Sequence, residues 1–485
     1  MRGLLKTAVE YLKKKGAEYG DVRFERVTTE SIQVRDGVIE GHSTDSSSGI
    51  GIRVVFRGAW GFASTHMTTE KDALKAADQA LAVAAACSSV NRTRVALAET
   101  ALHVDAYATP FRIDPFSVSP EEKTGRLIEV TTEASRYKDI AVCEAFMAFS
   151  RVDKEFVSTE GAEITQSLLT SGCGYHVIAE NGHDAQTRSY PDSHHGLFST
   201  KGYELIDELD MMGSLERVTG EARALLNAKE CAAGTIDVII DGPQMALQIH
   251  ESCGHPAELD RALGSEISFA GGSFLTTDRM GAYRYGSGHV NLYADPNHPG
   301  GAGSYKYDDE GVRTKRVDIV KEGVFTDYLS SREGALVIGA RSNGAMRAEG
   351  WNRLPIVRMS NICIEPGEVT LSDLIADTKN GLLLSTNRSW SIDDLRLNFQ
   401  FGTEIAYEIR NGKLGRIFKN PVYSGITPDF WASCDAVCSK EDWRMWGLNS
   451  CAKGEPVQVI GVGHGASPAR FRGVSVGVLK TRGER

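Results

Sequence analysis

The sequence predicts an α+β protein: an N-terminal domain over residues 1–230, with helices on a mostly antiparallel sheet, and a C-terminal mostly-β domain over 231–485. Three observations carry this reading. Leu4, Leu5, Ala8, Val9 and Leu12 recur at helical spacing. Asp36-Gly37 and Asn411-Gly412 sit between period-two stretches, as hairpin turns do. The chain also holds 50 glycines in 485 residues, more than the ~7% of an average chain, which favours tight turns and hence β-structure.

After the first, amphipathic helix, Val22 with Phe24 and Ile32 with Val34 mark the strands on one side of the Asp36-Gly37 turn. The run from Gly49 to Ala63 predicts two more strands joined at Gly58, with Gly49 and Gly51 present for close packing. Leu74, Ala77, Leu81, Ala84 and Ala85 give a helix within 64–88, and a further helix is expected over Pro120–Tyr137. Strands are expected around Cys143–Phe149, Glu155–Val157 and Tyr175–Ile178, and one polar helix over Leu205–Leu226. Past residue 230, β-segments are expected at Thr235–Ile240, Arg316–Ile319, Gly323–Leu329, Leu382–Leu384, Phe401–Ile409 and Val457–Val462.

Lys and Arg number 54 against 64 Asp and Glu, a net charge of −10, so neither nucleic acid nor a membrane surface is an expected partner. Nine cysteines, an odd number spread over a long chain, suit a reducing cytoplasm better than a disulfide scaffold. The longest apolar run, Ala80–Cys87, is far short of the ~20 residues of a spanning helix.

The strongest local signal is Ile249-His250-Glu251-Ser252-Cys253-Gly254-His255-Pro256, reached from the strand Thr235–Ile240 through Asp241-Gly242-Pro243. Two imidazoles beside a carboxylate are the raw material of a hydrolytic zinc site, in which histidines hold the metal and glutamate takes a proton from its water. The common motif places histidines at i and i+4, about 40° apart around a helix of 3.6 residues per turn. Here they stand at i and i+5, about 140° apart on a regular helix. Gly254 and Pro256 supply the remedy: either the helix ends and an extended His255 swings back, or a π-bulge widens the turn. Two unrelated histidines at a helix end fit the spacing equally well.

A third ligand is expected from Glu258, Asp260 or the Cys451 thiolate. Cys434 and Cys438 with Cys451 and His464 would make a separate four-ligand site, but the Cys-x-x-x-Cys spacing is not the usual one. His194-His195 reads as a polar loop, and Gly300-Gly301-Ala302-Gly303 as a mobile loop near the site rather than a phosphate cradle, lacking a Lys-Ser/Thr pair.

The stretch from His250-Glu251 through His255 to Glu258 and Asp260 resembles the TldD side of the TldD/PmbA family. So do Asp308-Asp309-Glu310-Gly311, Gly323-Val-Phe-Thr-Asp-Tyr328, Arg341-Ser-Asn-Gly-Ala-Met-Arg347, Gly49-Ile-Gly-Ile-Arg and Gly61-Phe-Ala-Ser-Thr65. The resemblance covers nearly the whole chain, and the His-Glu-x-x-x-His spacing is its mark. It implies a zinc metallopeptidase whose C-terminal, mostly-β domain carries the metal-binding helix. By position the Zn2+ ligands are then His250, His255 and Cys451, with Glu251 as general base. A site that pairs with an extended chain is expected to take short peptides or unfolded polypeptide segments and to spare compact domains, whose backbone groups are already paired; the assembly the family implies is a homodimer or a heterodimer with a PmbA-like paralogue. The competing expectation is a non-catalytic partner or binding subunit of such a complex, its zinc structural or absent. An intact Glu251 separates the two, because a purely structural site has no use for that carboxylate.

Overall fold

Residues 1–193, 196–269 and 271–477 are described by the computed structural model, and they form an α+β structure around two eight-stranded sheets. The first sheet runs in the order Ala59–Thr65, Val38–Phe56, Tyr19–Arg35, Ile140–Ser158, Glu163–Glu180 and Val104–Ala108. Its named neighbours are antiparallel except at the edge, where Val104–Ala108 lies parallel to Glu163–Glu180. Both central residues of the Asp36-Gly37 turn have positive φ, 49° and 81°, so Arg35 pairs directly with Val38, as a two-residue hairpin loop requires. Asn411 and Gly412 do the same between Arg410 and Lys413.

Period-two alternation decides which face of this sheet is covered. Val22, Phe24, Ile32 and Val34 point to one side and pack under helices. Leu5, Ala8, Val9 and Leu12 of helix Arg2–Lys14 and the alanines of helix Glu70–Ser88 cover one half. Leu127 and Val130 of Pro120–Ala134, with Leu215 and Val218 of Met211–Leu226, cover the other. The opposite face meets the C-terminal part through buried charges: Arg23 and Lys154 lie 3.3 and 3.2 Å from Asp309, and Arg53 bridges Asp21 and Glu310.

Some expected elements differ. Cys143–Phe149 and Glu155–Val157 belong to one strand, Ile140–Ser158, and the Tyr175–Ile178 strand extends over Glu163–Glu180. The apolar alternation lapses in their middle because Ser150, Lys154 and Gln166 line a cavity facing the C-terminal part. The helix expected over Leu205–Leu226 is two, Glu204–Leu209 and Met211–Leu226. Asp210 breaks it by taking φ of 40°, and its side chain caps the second helix at the Gly213 N–H.

In the second sheet the pairings close a five-strand ring: Asn380–Ile392, Gly234–Ile240, Ala469–Val476, Val422–Ile426, Asn398–Arg410 and back to Asn380–Ile392. The core beside it gathers Ile240, Leu384, Phe401, Tyr423 and Phe471 with Phe430 and Trp431 of helix Thr427–Ala432. The Gly300–Gly303 loop packs against Asn361 and Ser360. Asn361 Oδ1 accepts from the Gly303 N–H at 2.9 Å, and a Cβ on Gly301 would lie 2.4 Å from that oxygen. Gly49 and Gly51 are glycines because Trp351 packs against them, 2.4 and 2.3 Å from where a Cβ would be. Among the described residues no helix is long and apolar enough to cross a membrane.

Candidate metal centre

Strand Gly234–Ile240 ends at Asp241, whose carboxylate accepts from the Gly242 N–H at 2.7 Å and caps helix Gly242–Ile249, with Pro243 in its first turn. The helix then widens into a π-turn over His250–Gly254, closed by the His255 N–H donating to the His250 carbonyl at 3.2 Å. That i+5 to i bond stacks His255 over His250. Of the two remedies expected from sequence, the structure uses the bulge. His255 keeps an α conformation, φ −62° and ψ −46°, so the extended His255 anticipated before Pro256 is not found: the wider turn already brings the ring round. Gly254 is needed there because Met359 Sδ lies 2.0 Å from where its Cβ would be.

The imidazole centroids of His250 and His255 are 4.8 Å apart and perpendicular, at 89°. Cys451 reaches them from strand Arg444–Lys453, paired with Gln458–Ala466, after an irregularity in register between Leu448 and Cys451; such bulges re-aim side chains. Its Sγ lies 3.9 Å from His255 Nε2, and one donor atom from each of His250, His255 and Cys451 falls within 4.8 Å of the others. All three residues are buried.

Each histidine spends its Nδ1 on a neighbour. His250 Nδ1 is 2.9 Å from His464 Nε2, and His255 Nδ1 is 3.0 Å from Glu258 Oε2, which orients both rings and leaves each Nε2 for a shared ligand. Burial pushes the Cys451 thiol up, but His250, the Arg358 guanidinium and His255 outweigh it and hold the group well below the ordinary thiol range, as thiolate. Burial lowers His250 too, yet the Cys451 thiolate and the carboxylates of Glu251 and Glu258 leave its pKa raised. His255, with burial reinforced by His250 and Arg396, is held well below an ordinary imidazole. Two imidazoles and a thiolate suit zinc, whose bonds of ~2.3 Å to sulfur and ~2.0–2.1 Å to nitrogen put tetrahedral N and S ligands about 3.6 Å apart.

Glu251 lies beside this cluster, with Oε2 accepting from Arg396 Nη1 at 2.8 Å. The cluster opens on a cavity of about 470 Å3 whose walls include Asn387, Trp390, Arg396 and Trp446. The other candidates for a third ligand sit elsewhere: Glu258 is behind His255, and Asp260 Oδ1 accepts from Lys453 Nζ at 2.7 Å. Cys434 and Cys438 belong to two different apolar clusters, and burial pushes both thiols up to about 12. No grouping of these two with His464 occurs among the described residues; His464 instead backs His250. The His194-His195 pair lies outside the described residues.

Sequence reasoning missed the role of His464 in orienting His250 and missed Arg396 altogether. Gly463-His464-Gly465, a histidine between two glycines in a strand, was the available signal for the first. None marks Arg396, whose neighbour Glu251 comes from a segment 145 residues away.

Residues 233–477 match the family model described as the PmbA/TldA metallopeptidase C-terminal domain, residues 113–226 that of the central domain, and residues 20–84 that of domain 1. A metalloprotease of Methanocaldococcus jannaschii is 32% identical over 454 residues, covering 92% of this chain and 95% of the relative. A protein of Saccharolobus solfataricus named a zinc metalloprotease TldD homolog is 23% identical, over 86% of this chain and 89% of its own. The crystal structure of TldE from Thermococcus kodakarensis superposes with a TM-score of 0.72 over 99% of this chain and 100% of that one, at 16% identity, a likeness of fold.

Proposed function

Because the chain belongs to the PmbA/TldD metallopeptidase family, we propose that it is a zinc-dependent peptidase acting on short peptides or unfolded polypeptide segments. His250, His255 and Cys451 hold the metal and Glu251 is the general base. When bound, zinc supplies a Lewis acid that polarises a carbonyl and acidifies water. Glu251 takes the proton from the attacking water and passes it to the leaving amine. His464 and Glu258 fix the imidazole rings through their Nδ1 atoms, and the thiolate contributes the negative charge of the donor set.

The observation that carries this reading is the Glu251 carboxylate at the wall of a cavity shared with the three donors. A cavity of about 470 Å3 admits a few residues of extended chain and excludes a packed domain, whose backbone groups are already paired. We propose a division near residue 230 into an N-terminal domain and a C-terminal domain bearing the site. The assembly we propose, a homodimer or a heterodimer with a PmbA-like paralogue, rests on the family. A cytoplasmic location is supported by nine cysteines that are all free. Metal content and hydrolysis of a short unstructured peptide, measured on the same preparation, test the function. Activity should vanish on chelation and return with stoichiometric zinc; a zinc-loaded protein that cleaves no peptide would leave only a binding subunit.

A further inference from the structure

Arg396 stands in the turn between strands Asn380–Ile392 and Asn398–Arg410 with φ of 64°. In that region an L side chain crowds its own backbone, and glycine or asparagine would sit there with less strain. The surroundings hold it in place. The Asp393 carboxylate accepts from the backbone N–H groups of Leu397 and Asn398 at 2.7 and 3.1 Å, and Thr427 Oγ1 donates to the Arg396 carbonyl at 2.9 Å. The Phe274 N–H donates to the Leu395 carbonyl at 3.0 Å. A long side chain kept on a strained, firmly held backbone points to a use for that side chain.

Its guanidinium reaches Glu251, Nη1 donating to Oε2 at 2.8 Å, and is 17% exposed at the wall of the site cavity. Its Nε–H is buried with no hydrogen-bond partner, an arrangement that folded proteins normally avoid. One donor is committed to the base and Nε is enclosed, so a further donor to the cavity comes from the exposed part of the same planar fork. Peptide hydrolysis brings an acceptor to that place, the scissile carbonyl oxygen, which gains negative charge as water adds to the carbon.

We infer that Arg396 is a catalytic residue of the reaction proposed above, on whose peptidase reading this role rests. Its guanidinium aims Glu251 through Nη1 and donates a further N–H to the carbonyl oxygen of the substrate. The water oxygen bonds to the carbonyl carbon while its proton moves to Glu251; the C–N bond then breaks as that proton passes to the leaving amine. Arg396 donates hydrogen bonds throughout and keeps its own protons.

The test compares zinc-loaded wild type with Arg396→Gln and Arg396→Lys in steady-state cleavage of a short fluorogenic peptide. Zinc content, thermal midpoint and calorimetric affinity for a phosphinic peptide, a tetrahedral mimic, are read alongside. Arg396→Gln should lower kcat by about 10²-fold, the loss of one oxyanion donor, with KM within about threefold and zinc content unchanged. Phosphinate affinity should fall in step with kcat/KM, guanidinium ion should restore part of the rate, and Arg396→Lys should fall between. Unchanged kcat in Arg396→Gln, or a loss confined to KM, overturns the assignment. So does a shared loss of zinc in both variants that guanidinium does not repair, which makes the role structural. If zinc-loaded wild type cleaves nothing, the peptidase reading has failed separately. Phosphinate binding then still decides for Arg396: weakening in Arg396→Gln supports the contact, and no change removes it.

Discussion

His250 and His255 stand five residues apart in sequence, yet their rings meet edge to face at 4.8 Å because the His255 N–H bonds back to the His250 carbonyl across a π-turn. The same turn sets Glu251 beside Arg396, at the wall of the cavity that His250, His255 and Cys451 also line. The proposed base and the proposed ligands are therefore adjacent in the chain and separate in role.

That separation predicts the behaviour of Glu251→Gln. The amide keeps the shape and a hydrogen bond to Arg396, and no ligand is removed, so bound zinc should stay at the wild-type stoichiometry. Peptide hydrolysis should fall by about 10²-fold or more, because the amide cannot accept a proton. Metal analysis and steady-state cleavage check the pair, and retained activity would remove Glu251 from the mechanism.

Cysteine substitutions should divide sharply. Cys451→Ser replaces a thiolate by a neutral hydroxyl and should lose zinc or bind it far more weakly. Removing the metal should also lower the thermal midpoint, since a metal held as proposed would tie the strand Arg444–Lys453 to the His-Glu turn. Cys434→Ser and Cys438→Ser should leave zinc and hydrolysis nearly untouched. Zinc titration of the three variants reads this directly, and zinc lost with Cys434 or Cys438 but kept without Cys451 would relocate the site.

Gly254→Ala should damage the turn itself. The new Cβ would sit 2.0 Å from Met359 Sδ in a fully buried environment, and overpacking of this kind costs about 1–3 kcal/mol. Denaturant unfolding should show that loss, and zinc affinity should fall with it because both histidines hang on the same turn. Wild-type values for both quantities would mean that Met359 gives way freely.

Asp309 provides a test of the contact between the first sheet and the C-terminal part. Burial raises its carboxyl, but Arg23 and Lys154 outweigh it and hold the pKa at about 2. Its contribution to stability is therefore present above the unfolded value of about 3.9 and is lost as pH falls from there through about 2. Asp309→Asn should cost about 3–5 kcal/mol at neutral pH, the loss expected when one member of a buried charge cluster is removed. The gap between variant and wild type should narrow in that acid window. A gap independent of pH would assign the loss to packing.

Much of this was legible in the sequence, for local reasons. Asp36-Gly37 and Asn411-Gly412 announced hairpins because two successive positive φ angles suit few other residue pairs. The i, i+5 histidines beside a flexible Gly254 announced either a helix end or a bulge. What was hidden depends on distant segments. The continuity of Ile140–Ser158 is masked by polar residues that face a cavity against the C-terminal part, and the packed state of the Gly300–Gly303 loop is set by Asn361. His464 and Arg396 join the site only once the ring of strands and the hairpin around Cys451 have formed. Choosing Cys451 over Glu258 and Asp260 likewise needed the family resemblance before the geometry, because nothing local marks a cysteine 196 residues from His255.

X-ray absorption at the zinc edge of the metal-loaded wild type is the most direct test of the account. It should show one sulfur at about 2.3 Å and three nitrogen or oxygen neighbours at about 2.0–2.1 Å, with the sulfur lost in Cys451→Ser. A shell with no sulfur, or with more than one, would contradict a centre built from His250, His255 and Cys451.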